Sequence, residues 1–126
     1  MDLEAIEKIE KALGLKLPAH YVELVTNYPP ELVVTDAPDF ALLDDPSMVI
    51  EENAAVRGKP FYGRVWPENF IIIGTNGCGD LYVTKLNATE FSAGFFDHEV
   101  PAFYPHSESR EEFVSKLVQE SNSGSA

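Results

Sequence analysis

The chain has 126 residues, of which 44% are hydrophobic and 11% aromatic. That is enough for one ordinary domain with a real core and argues against disorder over most of its length. Nine basic residues stand against 21 acidic ones, a net charge of −12. This field repels nucleic acid and anionic membrane surfaces and speeds encounter with a basic partner.

No run of about 18 apolar residues occurs, so no membrane-spanning helix is expected. The opening MDLEAIEKIEK lacks the basic-then-apolar layout of a signal peptide, and a cytoplasmic protein is expected. The single Cys78 excludes an intramolecular disulfide and any multi-cysteine metal site. Charge is also unevenly placed. From Glu31 to Val56 there are seven acidic residues (Glu31, Asp36, Asp39, Asp44, Asp45, Glu51, Glu52) and no Lys or Arg.

Asp2 is a natural N-cap, and Ile6, Ile9 and Leu13 then recur at helical spacing until Gly14. Pro18 suits the first turn of a second helix, whose buried face carries Tyr21, Leu24, Val25 and Tyr28 before Pro29 and Pro30 end it. Residues 32–35 and 40–43 read as short strands. Ser47 is placed to cap a third helix running to about Val56. Residues 57–69, RGKPFYGRVWPEN, read as a loop carrying the only Trp, Trp66. Strands are expected over residues 70–73, 81–86 and 90–96. Ser109 to Glu112 forms a capping box that opens a last helix with Phe113, Val114, Leu117 and Val118 inward.

The fold class is therefore α+β: a single domain with a central antiparallel sheet and flanking helices over residues 1–120, then a flexible tail over 121–126. The expected state is a monomer or weak dimer.

GTNGCGD, residues 74–80, invites a phosphate-cradle reading. A P-loop needs Lys then Ser or Thr after its last Gly, and Asp80 stands there instead. A dinucleotide fingerprint needs a helix to follow, and LYVTKL alternates like a strand. The turn reading holds, because Asn76-Gly77 is a favoured hairpin pair. Asp80 is then expected at the mouth of a cleft beside the hairpin. Cys78 has no local signature of a catalytic thiol. Asp97-His98-Glu99 has metal-ligand chemistry, but consecutive strand residues alternate faces, so the three are not expected to converge. Trp66 is either core or an exposed anchor. No cofactor and no metal are expected.

IEKIEKALGLKLPAHYVELVTNYP resembles the opening of the SUKH superfamily, which includes fungal cell-wall-assembly regulators and many bacterial immunity proteins. Leu13-Gly14, Leu17-Pro18, Tyr21 and Leu24 carry its "lg..LP..y...l" pattern. IIIGTNGCGDLYVTKL resembles the family hairpin through Gly74, Gly79 and Asp80, AGFFDHEV its next strand, and SREEFVSKLV its closing helix. The likeness spans about residues 3–119; residues 31–66 match poorly.

The resemblance implies a compact non-enzymatic domain, with bacterial members binding and neutralising a cognate toxin, often a nuclease. Asp36, Asp39, Asp44 and Asp45 are the expected electrostatic face, with Trp66, Asp80 and Asp97 lining a cleft. The alternative is a regulatory scaffold for endogenous proteins, as in the fungal members. Those members usually carry long disordered flanks, and only SNSGSA stands outside the domain here.

Overall fold

A computed structural model describes residues 1–33, 41–58, 60–76 and 79–123, without the side chains of Arg64 and of residues 121–123. Helix α1 (Leu3–Leu13) starts where the Asp2 carboxylate accepts from the Ala5 N–H at 2.9 Å and stops at Gly14, which adopts φ 65°. Helix α2 (Ala19–Thr26) buries Tyr21, Leu24 and Val25. The prolines do not simply end it. Pro30 is the first residue of a one-turn helix α3 (Pro30–Val33), where the composition suggested a strand. Proline at the start of a helix costs nothing, because that N–H has no helical partner.

Strand β1 is short (Ala41–Leu42), and helix α4 (Pro46–Val56) follows. Its cap is Asp45, whose carboxylate accepts from the Ser47 N–H at 2.9 Å, and not Ser47 as expected. Pro46 explains the shift, since it occupies the first helical position and leaves Asp45 just outside.

The segment 57–69 is not all loop. It holds a hairpin of β2 (Pro60–Phe61) and β3 (Arg64–Val65). The two-residue link Tyr62–Gly63 has φ 49° and 77°. Positive φ at both positions is the turn that matches strand twist. Strands β4 (Phe70–Thr75), β5 (Leu81–Lys85) and β6 (Ala93–Asp97) stand close to expectation. Strand β7 (Ala102–Ser107) has no counterpart among the expected elements; it contains Pro105 and lies at the edge of the sheet, where proline is tolerated. Helix α5 (Arg110–Ser123) opens with the Glu112 N–H donating to Ser109 Oγ at 3.1 Å. It runs three residues into the stretch read as tail.

The sheet order is β1-β4-β5-β6-β7, every pair antiparallel. One face packs Ile71, Ile73, Tyr82 and Ala93 against Ile9, Tyr21, Leu24, Val49, Phe113 and Leu117 from the helices. The other face carries Ile72, Leu81, Val83 and Phe96, covered by Val56, Phe61 and Trp66. Because β1 has only two residues, it cannot pair the full length of β4. Asn53 of α4 takes over where it stops. Its side-chain oxygen accepts from the Ile72 N–H at 2.7 Å, and its amide donates to the Ile72 carbonyl at 3.0 Å. Arg57 and Trp66 donate to the Phe70 carbonyl at 2.7 and 3.0 Å. Three side chains thus stand in for a missing strand.

Candidate functional site

The register places the site. Leu81 of β5 lies opposite Phe96 of β6, so the next positions outward, Asp80 and Asp97, come abreast at the end of the sheet. Leu81 and Phe96 point into the second core, which turns their neighbours Asp80 and Asp97 to the other side of the pleat.

Asp80 is thoroughly bonded. Its Oδ1 accepts from the His98 backbone N–H at 3.0 Å and lies 2.6 Å from His98 Nδ1. Its Oδ2 accepts from the Asn76 amide at 2.9 Å, and its own N–H donates to Asn76 Oδ1 at 3.2 Å. Burial would raise the Asp80 carboxyl. The bonds from the His98 backbone and ring and from Asn76 outweigh that and leave it below the usual carboxylate range. The His98 imidazole is raised in turn, first by its hydrogen bond to Asp80, against desolvation, and then by the charges of Asp80, Glu99 and Asp97. Gly79 lies under the ring at φ 99°; a Cβ there would stand 3.2 Å from His98 Cε1 and Nδ1. Asp97 accepts locally, from the Glu99 N–H at 2.9 Å.

Beside this end of the sheet stands the tip of the β2–β3 hairpin. Tyr62 is 51% exposed, with its ring 5.7 Å from His98 and 6.2 Å from Phe96. Val65 is 86% exposed. An aromatic side chain thus faces solvent beside the Asp80–His98–Asp97 cluster, while Val65, opposite Pro60, is exposed at the other end of the hairpin. Neither Tyr62 nor Val65 is among the residues expected from the sequence to bind a partner. The signal was the Tyr62-Gly63 pair, hidden inside a segment that reads as irregular.

Trp66 is 5% exposed and belongs to the core, with Phe61, Phe96 and Phe103 at ring distances of 5.8, 5.9 and 5.3 Å. It does not line the cleft. Asp44 takes an ion pair with the Met1 amino group at 3.0 Å, and Asp45 is the α4 cap. Both follow Leu43, whose N–H reaches the Ile73 carbonyl, while Asp80 is level with Asn76. At about 3.3 Å per residue and 4.8 Å per strand, that separates Asp44 and Asp45 from Asp97 by well over ~10 Å. They form a different patch. Asp36 and Asp39 lie outside the described residues, as does Cys78.

A groove of about 360 Å³ opens on the second face toward β7, lined by Phe70, Val83, Lys85, Phe103, Pro105 and Glu108. Gly94 forms part of its wall, within 3.2 Å of Val83 if it carried a Cβ. Among the described residues no helix is long and apolar enough to cross a membrane.

The order of elements, the hairpin with its Gly74 and Asp80, and the closing helix agree with one family. The model of the SMI1 / KNR4 family (SUKH-1) matches residues 1–118, and the chain belongs to that family. The family includes immunity proteins and fungal cell-wall regulators. No curated protein and no solved structure matches the chain.

Proposed function

We propose that this protein is a non-enzymatic immunity protein that binds a toxin domain with a basic surface, a nuclease being the best fit, and blocks it. The observation that carries the reading is the edge formed by Tyr62, Asp80 and Asp97 on a chain of net charge −12. A rigid exposed aromatic with acids around it suits a partner that presents arginine and lysine. A nuclease must present such a surface to bind phosphate, so an acidic protein can occupy its cleft as a mimic. Asp44 and Asp45, with Asp36 and Asp39, would add long-range attraction from a second patch. The alternative, a regulatory scaffold for endogenous proteins, is supported by the fungal members of the family.

The test is co-expression with the C-terminal domain encoded by the neighbouring large gene. Rescue of growth together with co-purification supports immunity. Toxicity without rescue, or no toxicity, moves the weight to the scaffold. With the partner in hand, Tyr62→Ala and Asp97→Lys should weaken the complex more than Trp66→Phe does. The association rate should fall as salt rises.

A further inference from the structure

We propose that Asp80, Asp97 and His98 form a binding site for one divalent transition-metal ion of the zinc class. One ligand atom from each residue can be chosen so that all three lie within 4.8 Å of one another. Adjacent strand residues should diverge, and Glu99 is indeed not part of the group. The third donor comes from β5 instead, brought in by the Leu81–Phe96 register. His98 follows the last residue of β6, where the chain turns and the strict alternation of faces ends.

The geometry is close to what an ion needs. Metal–ligand bonds of about 2.0–2.2 Å put tetrahedral ligands about 3.3 Å apart. His98 Nδ1 and Asp80 Oδ1, now at 2.6 Å, would open by about 0.7 Å, and Asp97 would swing in from its local bond to Glu99. Two of the three donors, Asp80 and His98, are already oriented. Asn76 fixes the second oxygen of Asp80, the His98 N–H holds the first, and the ring is seated closely on Gly79, where a Cβ would stand 3.2 Å from it and crowd it. Such supporting contacts are what normally hold a ligand set in place.

The donor set selects the ion. Calcium and magnesium prefer all-oxygen shells, whereas one imidazole with two carboxylates suits zinc, cobalt or manganese. Glu99 and the net charge of −12 add to the local attraction for a cation. Three protein donors leave one coordination position open.

The experiment uses the full chain, stripped with a chelator and titrated with Zn²⁺ by calorimetry and with Co²⁺ by visible absorption. The expected result is saturable binding of one ion per chain, with a Co²⁺ spectrum of a low-coordinate site. Asp97→Asn is the cleanest variant, because that side chain supports a local turn. It and His98→Ala should each weaken Zn²⁺ at least about tenfold, while His20→Ala and His106→Ala leave it unchanged. In the unmutated protein, Zn²⁺ should shift the NMR signals of the His98 ring and not those of His20 or His106, a readout that needs no variant to fold. No saturable binding, binding untouched by both site variants, or ring shifts confined to the other histidines would overturn the proposal.

Discussion

Replacing Asn53 with Leu tests the account of how β4 is held. Asn53 is fully buried and makes three hydrogen bonds: to the Val49 carbonyl at 2.8 Å, from the Ile72 N–H at 2.7 Å and to the Ile72 carbonyl at 3.0 Å. Leucine fills similar space but offers neither donor nor acceptor. Val49 keeps its place in the helix, whereas the Ile72 N–H and carbonyl are left on a buried residue beyond the reach of β1. A stranded buried polar group costs about 1–3 kcal/mol, so two cost about 2–6. The gain from burying leucine in place of an amide returns about 1–2 kcal/mol. Taken at their mid-values, about 4 less about 1.5, these give an expected net loss of about 2.5 kcal/mol, a large part of the ~5–15 kcal/mol typical of a domain. Urea unfolding with linear extrapolation measures it, and the slope should stay constant while the midpoint falls. Asn53→Asp keeps one acceptor but loses the donor and buries a charge, so it should be no better than Leu at neutral pH. A loss under about 1 kcal/mol for Asn53→Leu at constant slope would refute the reasoning.

Gly74→Ala would put a Cβ 2.0 Å from the Ala41 carbonyl oxygen. Strand β1 must then leave β4, costing at least about 2 kcal/mol, and the Leu43 amide, which donates to Ile73, should lose protection from hydrogen exchange. Trp66→Phe should cost about 1–3 kcal/mol through lost volume and the lost bond to Phe70, whereas Tyr62→Ala should cost under about 1; equal losses in urea unfolding would mean the two aromatics are not divided between core and surface. The buried tyrosines predict an alkaline limit. Desolvation, then the Asp44 charge, pushes Tyr28 up to about 12 from its ordinary 10, and burial likewise raises Tyr21 and Tyr82. A folded-state value above the unfolded one means the contribution is intact below about pH 10 and is lost as pH rises through about 12. The melting temperature should hold to about pH 9.5 and fall beyond it, less steeply in Tyr28→Phe; a fall that starts near neutrality would count against this account.

Local chemistry was enough to write down much of the fold. The spacing of Ile6, Ile9 and Leu13 with Asp2 before and Gly14 after describes α1 completely, because caps and a 3.6-residue period act within a few residues. The apolar run 70–73 and the alternating 81–86 are β4 and β5 for the same reason. Residues whose role depends on distant partners were harder. Pro30 begins a helix turn, Tyr62 and Gly63 shape a hairpin, and Pro105 sits in an edge strand; each residue type also has a commoner irregular use.

The site divides in the same way. The acidity of the candidate site, and Asp80 and Asp97 as candidates for it, could be named from residue chemistry and from likeness to a family. Sequence alone could not say that Asp80 meets His98 across a strand pair, since antiparallel register brings together residues 18 apart. Nor could it say that Trp66 turns inward and leaves Tyr62 as the exposed ring. That is decided by which face of the sheet still needs covering once the helices have taken the other. Composition determined the sign of the protein's charge, and only packing decided which few side chains it presents.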